Sequence, residues 1–458
     1  MSLLQGSIIV YFLIIYLFGI FKKSKSNTES YIFAGRKLTL PAFVATLVST
    51  WYGGILEVGQ FSYDNGIITW IIFGVFYYIA ALIFAFTFAP KINKLNIKSI
   101  PSLINKHFGK FPGLISFSLI ILLSSPAPYL IILSTLLIDI WPINKNIAII
   151  FGILISTIYT YRGGFSSVIR TDKIQFILMF FGFLYLIFNL YIDYGGLKFI
   201  KDNANQNLLS IPGNYSWTSI FVWSLIALVT FIDPSFFQRS YSGKNILVVK
   251  KGIIISIAFW LLFDFMTITT GIYASILIPD LISNPYTDLS KLVLGPIGHA
   301  IFIISLISIV MSTIDSYTFI SAYTIGYDLP LILNKSSKNT VNNTKRSLLL
   351  ISIISVIMAI LFSSALQIWY IVGSLAVSVI FIPIICATRN YNIKNKIIFF
   401  VLPLVITAFW MLHGLLNRSY GYPQYFLSID PMYPGLLSSF LYFYIFKSKK
   451  EINKNEHI

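Results

Sequence analysis

Apolar stretches long enough to cross a bilayer recur thirteen times along the chain. They cover about 4–21, 40–62, 67–90, 113–141, 146–161, 164–191, 216–234, 250–276, 292–325, 347–364, 366–388, 395–415 and 433–447. A spanning helix needs about 20 predominantly apolar residues. The pattern therefore predicts an all-α membrane protein of thirteen transmembrane helices.

Polar groups inside these stretches are few, and they concentrate. Segment 309–316 reads IVMSTIDS, a hydroxyl pair at Ser312 and Thr313 followed by Asp315 and Ser316. A carboxylate at membrane depth costs roughly 2.5–3.5 kcal/mol on insertion scales and is retained where it faces a cavity, an ion or a partner. On a helical projection Ser305, Ser308, Ser312, Asp315 and Ser316 share an arc of roughly 100°. Such a stripe offers oxygen ligands to a hard cation such as sodium. Hydroxyls joining one helix to another are the plainer reading, but that role does not need the aspartate.

Segment 48–59, VSTWYGGILEVG, sets Gly53 and Gly54 mid-span beside Ser49, Thr50, Tyr52 and Glu57. Each glycine costs a helix about 1 kcal/mol relative to alanine. A break at membrane depth frees carbonyls, tolerated only where they line a cavity or meet an ion. Tight packing through small residues is the alternative; Glu57, one turn past the glycines, favours the cavity. Thr171, Asp172 and Gln175 are polar positions of the sixth stretch, where a surface salt bridge of Asp172 with Arg170 or Lys173 competes with a buried role. Asp233 reads as a membrane-edge residue with Pro234 ending its helix. Asp264 lies mid-span without an assignable partner.

Composition supports the spans: 57% of residues are apolar and 11% charged, with mean hydropathy +0.81. That excludes a large soluble core. A single cysteine, Cys386, excludes an internal disulfide and a multi-cysteine metal site, and the four histidines show no ligand spacing. No cofactor and no transition metal are expected. The net charge of +17 is a topology signal and not a nucleic-acid surface, because twenty-eight of the 33 Lys and Arg fall in alternate loops. By the positive-inside rule those loops are cytoplasmic. A multi-pass protein of the inner or plasma membrane is expected, with the N-terminus outside and the C-terminus cytoplasmic. No cleavable signal peptide is expected. Segment 91–110 reads as a basic interfacial helix broken at Pro101.

Four pieces occur in a familiar order: FAGRKLTLPAFVATLVSTWYGG (33–54), YRGGFSSVIRTDKIQ (161–175), DPSFFQR (233–239) and VMSTIDS (310–316). Together they resemble the sodium:solute symporters, carriers of sugars, proline, pantothenate, sialic acid and iodide. The resemblance implies one transporter domain with a LeuT-type fold. An extra N-terminal helix (4–21) precedes two inverted five-helix repeats (40–191 and 216–388), then two C-terminal helices (395–447) and a cytoplasmic tail (448–458). It implies ion and solute sites at the midplane, beside broken first and sixth core helices. By position, one sodium falls to the carbonyls of Ser49, Tyr52 and Ile309 and the hydroxyls of Ser312 and Thr313. A second, held by some members, falls to Asp172, Ser312, Asp315 and Ser316. Trp51, Gly53 and Glu57 are candidate solute contacts. The sixth core helix shows no glycine to break it, and the repeat is not visible as sequence similarity.

The implied function is secondary active, sodium-coupled import of a small polar organic solute by alternating access. Its expected partners are sodium, the solute and the bilayer, with the oligomeric state open. A proton-coupled permease of the same fold, using Asp315 or Glu57, is the first rival. An intramembrane aspartyl protease with Asp172 and Asp315 as its dyad is a remote one; the GxGD motif of such enzymes is absent.

Overall fold

The computed structural model describes residues 2–449 except 22–23, 25–26, 95, 336–338, 363 and 420–421. Among them, eleven helices are long and apolar enough to span a membrane, or twelve when one bent pair counts as a span. The thirteenth stretch forms the 15-residue helix Met432–Phe446. At 1.5 Å per residue that is about 22 Å, short of a bilayer core. Of the expected tail, only residues 448–449 lie within the described part of the chain.

The helices that position the site are α1 (Leu3–Ile20), α2 (Leu40–Trp51), α3 (Ile55–Asn65), α4 (Phe76–Thr87), α5 (Lys110–Leu123), α6 (Ala127–Ile140), α7 (Lys145–Gly163) and α8 (Phe165–Tyr194). After these come α9 (Trp217–Ile226), α10 (Pro234–Ser242), α11 (Ile246–Leu277), α12 (Pro296–Tyr323), α13 (Thr340–Leu361) and α14 (Ala365–Thr388). Helix α12 is the central pole. Every residue from Ser305 to Tyr323 is buried, because α1, α2, α6, α7, α8 and α13 all pack on it. A segment enclosed on every side has no lipid face, so its serines, threonines and aspartate meet protein. The outer helices show the reverse: α1 and α8 carry rows of exposed Leu, Ile and Phe, the surface a bilayer covers.

Two breaks interrupt the core helices. Helices α2 and α3 form the bent pair, turning 62° at residues 52–54, where the paired glycines predicted it. The glycines are needed for close approach. A Cβ on Gly53 would lie 2.7 Å from Thr313 Cβ, and one on Gly54 would lie 2.7 Å from the Trp369 ring. The second break, which the resemblance implies for the sixth core helix though no glycine marks it, lies between α9 and α10. Helix α9 tightens into a 3-10 segment, Ala227–Phe231, and α10 restarts at Pro234. Asp233 is therefore no membrane-edge residue: it is buried, and its Oδ1 accepts from the backbone N–H of Ser235 (2.7 Å) and Phe236 (3.1 Å). Asp at the cap followed by Pro in the first turn starts a helix. Pro234 opens α10 instead of ending a helix.

Pro101 likewise lies in the first turn of a helix, Ile100–Phe108, capped by Ser99, so the basic segment divides just ahead of it, after the helix Ala89–Lys94. On this basic side α10 is strapped to the chain before α2. Leu38 N–H donates to Ser242 O and Lys244 N–H to Leu38 O, each at 3.1 Å. Gln238 Nε2 donates to Ile32 O at 3.2 Å.

Candidate functional site

The bend after α2 brings its last turn against the middle of α12. Thr313 Oγ1 donates to Thr50 O at 2.9 Å and lies 3.3 Å from Ile309 O. Ser312 Oγ lies 2.9 Å from Ser49 Oγ and 2.7 Å from Asp172 Oδ1 on α8. Ser49 Oγ in turn donates to Ala45 O at 2.8 Å. Ser49, Thr50, Ile309, Ser312 and Thr313 are all buried. Two adjacent hydroxyls of one helix thus meet oxygens of the helix that breaks beside them. The donor set is neutral oxygen next to one carboxylate, which suits a hard monovalent cation.

Of the five residues predicted for the first ion, Ile309, Ser312 and Thr313 come together, and Ser49 joins them through its hydroxyl instead of its carbonyl. The expected contact of the fifth, Tyr52, is its carbonyl; its hydroxyl donates to Trp260 O (3.0 Å) and Asp264 Oδ1 (2.8 Å). The carbonyl in contact is that of Thr50, one of the polar neighbours of the break that the sequence did not single out.

The predicted second set divides. Asp172, Ser312 and Ser316 share one polar network, but Arg239 of α10 occupies its centre. Arg239 Nη2 donates to Thr46 Oγ1 (2.9 Å), Thr50 Oγ1 (2.8 Å) and Ser316 Oγ (2.9 Å). It also lies 3.8 Å from Asp172 Oδ2, with both side chains fully buried. Thr46 Oγ1 donates to the same carboxylate oxygen. Asp172 is therefore neither paired with Arg170 or Lys173 nor at the surface. Arg239, counted with the basic loops in the sequence, is a core residue. Asp315 stands apart from this network: its Oδ2 accepts from Thr171 Oγ1 at 3.4 Å, and its Oδ1 has no protein partner.

Around the break the walls are aromatic. The Trp51 ring lies 5.6 Å from Tyr77, 5.4 Å from Phe236 and 5.3 Å from Trp260, centroid to centroid. On the other side Tyr129 stacks on Tyr317 at 5.5 Å and meets Trp369 at 5.6 Å. Tyr317 OH donates to Asp233 Oδ2 at 2.7 Å. Asp264 gains the partners the sequence left unassigned, Tyr52 and Tyr78, both donating to it. A π-helical turn, Ile71–Val75, lets Gly74 lie against this carboxylate. Glu57 follows Gly54 by one turn on α3, half-buried, and among the described residues it makes no hydrogen bond or ion pair.

The model of the sodium:solute symporter family matches residues 31–388. The chain belongs to the sodium:solute symporter family. The high-affinity choline transporter 1 of Caenorhabditis elegans is 24% identical over 421 residues, covering 83% of this chain and 72% of the relative. The human sodium/glucose cotransporter 4 is 23% identical over 334 residues, covering 63% and 47%. The chain thus spans about half the length of that glucose cotransporter. A solved sodium-coupled sialic acid symporter, in a substrate-bound outward-open state, superposes with TM-score 0.74 at 16% identity, over 96% of this chain and 95% of that one. A nucleobase-cation-symport-1 family transporter in a closed conformation gives TM-score 0.55 at 12% identity, over 92% and 96%.

These likenesses bear out the LeuT-type, all-helical fold. Membership makes the chain a sodium-coupled solute symporter of the alternating-access kind, and not an enzyme. The protease reading falls with it. The geometry agrees, since Asp172 faces Arg239 and not a second carboxyl with which to share a proton.

Proposed function

We propose that this symporter imports a small polar organic solute with sodium bound between the last turn of α2 and the middle of α12. The ligands are Ser49 Oγ, Thr50 O, Ile309 O, Ser312 Oγ and Thr313 Oγ1. The observation that carries this reading is the Thr313 bond to Thr50 O beside the 62° bend. An ion bridging those oxygens ties the mobile broken helix to the central pole. It favours the conformation in which both face the solute, and solute binding favours the ion in return. One charge crossing 100 mV contributes about 2.3 kcal/mol, and a tenfold sodium gradient adds about 1.4 kcal/mol. Together these support roughly 500-fold accumulation of a neutral solute per sodium.

Arg239 is a built-in positive charge at Asp172. It gives this pole the countercharge that a second sodium would otherwise supply. The proton-coupled alternative has no need of the Ser312–Thr313 contacts to α2, which favours sodium.

The solute meets the helix break, with Trp51, Gly53, Tyr129 and Trp369 as walls and Glu57 one turn away. Aromatic faces and an unpaired carboxylate favour a solute bearing an ammonium group over a carboxylate, in line with the choline named for the worm relative. The division into repeats at 40–191 and 216–388, with the basic loops cytoplasmic and the N-terminus outside, completes the reading. A proteoliposome uptake screen tests it. Sodium-dependent uptake of an amine such as choline, competed by other ammonium compounds and not by glucose or pyruvate, supports it; uptake of a sugar or a monocarboxylate instead refutes the ammonium assignment.

A further inference from the structure

About 100° around α12 from the Arg239–Ser316 contact, buried polar atoms without a partner among the described residues gather around Asp315. Its Oδ1 is one. The hydroxyls of Ser156 and Tyr159 on α7 are two more, and both side chains face the Asp315 carboxyl. Gln175 on α8 leaves both amide atoms unpaired, and Tyr11 of α1, which faces Gln175 and Ser308, leaves its hydroxyl unpaired, as does Ser308. Asp315, Ser156, Tyr159, Gln175 and Ser308 are wholly buried and Tyr11 nearly so. Four helices thus aim polar groups at one place within the membrane.

Such an arrangement is costly unless something joins it. Buried polar groups are almost always satisfied, and a buried charge is paired or holds an ion. Here the pairing is incomplete in a specific way. The carboxylate receives one long bond, from Thr171 at 3.4 Å. Among the described residues no basic side chain faces it: Arg239 is bound to Thr46, Thr50 and Ser316, about 100° away around α12. The titratable groups around Asp315 are Tyr159, Tyr11 and Asp172, none of them a cation at neutral pH. The cluster is one carboxyl group surrounded by hydroxyl and amide oxygens.

We propose that Asp315, Ser156, Tyr159, Thr171 and Gln175 form a second sodium site, lined by the extra N-terminal helix through Tyr11 and separate from the Asp172–Arg239 network. The proposal rests on the sodium-coupled reading above. Its five oxygens are Asp315 Oδ1, Ser156 Oγ, Tyr159 Oη, Thr171 Oγ1 and Gln175 Oε1. A single monovalent cation cancels the charge and takes lone pairs that no protein donor engages. The second ion expected near Asp172 thus moves around α12 to Asp315, because the guanidinium already supplies the positive charge beside Asp172.

The test is equilibrium binding of radioactive sodium to the purified full-length protein, alongside thermal stabilisation by sodium against potassium. The parent binds two sodium ions per chain. Asp315→Asn binds one, and Tyr159→Phe weakens one of the two by about tenfold while leaving the count at saturation unchanged. Thr313→Ala also binds one, but loses the other ion, so Asp315→Asn combined with Thr313→Ala binds none. A parent that binds one sodium, lost in Thr313→Ala and kept in Asp315→Asn, overturns this site and leaves the first intact. A parent that binds none overturns the first reading. Should Asp315→Asn not fold, Tyr159→Phe decides: unchanged sodium affinity at both sites overturns the proposal. Proton uptake that depends on Asp315, with sodium stoichiometry unaltered, overturns it as well.

Discussion

Arg239 and Asp172 face each other at 3.8 Å with no solvent exposure on either side chain, one on α10 and the other on α8. Helix α10 starts at the second break, so the pair links the broken sixth core helix to α8, which packs on the pole where the first one rests. Removing one member of a buried pair leaves the other uncompensated, at a cost of about 3–5 kcal/mol. Asp172→Asn is expected to lower thermal stability in detergent sharply, and Asp172→Asn combined with Arg239→Gln to recover most of the loss. A single variant as stable as the parent would mean that the two charges do not depend on each other.

Gly53 is held to its size by its neighbours. A Cβ there would come within 2.5 Å of the Tyr129 ring and 2.7 Å of Thr313 Cβ. Overpacking costs about 1–3 kcal/mol, so Gly53→Ala is expected to raise the sodium concentration for half-maximal uptake roughly tenfold by pushing α2 off α12. Unchanged sodium activation would argue that the contact is loose.

Much of this was legible in the chain. Gly53–Gly54 announced the first break because two helix-destabilising residues mid-span have few other uses at membrane depth. The hydroxyl pair at Ser312 and Thr313 announced the contact to α2. The second break was hidden because no glycine marks it; Asp233–Pro234, a cap and a first-turn proline, was the signal, and it reads equally well as a helix end. Arg239 was missed because a cation one turn from a basic loop looks like part of that loop. Only the packing shows it turned inward to Thr46, Thr50 and Ser316. The separation of Asp315 from Ser316 followed the same logic: neighbours in sequence differ by about 100° on a helix, and which face meets which partner is a property of the assembled bundle.

Glu57 has no protein partner among the described residues and stands one turn past the break. Glu57→Gln is expected to raise KM for an ammonium solute about tenfold with little change in maximal rate or sodium activation, the pattern of lost binding before the transition state. A fall in maximal rate at constant KM would point to gating instead.

Orientation is open to a direct check. The single cysteine, Cys386, is buried, so background labelling in intact cells should be low. Ser2→Cys is expected to react with an impermeant maleimide from outside, and Asn343→Cys only after permeabilisation. The opposite result would invert the topology read from the basic loops.

The central claim is that sodium bridges α2 and α12 through Thr313, and solute uptake against sodium concentration in proteoliposomes tests it most directly. For Thr313→Ala the account predicts a protein that folds and inserts but needs at least tenfold more sodium for half-maximal uptake. Uptake by Thr313→Ala with the parent's sodium dependence would contradict it.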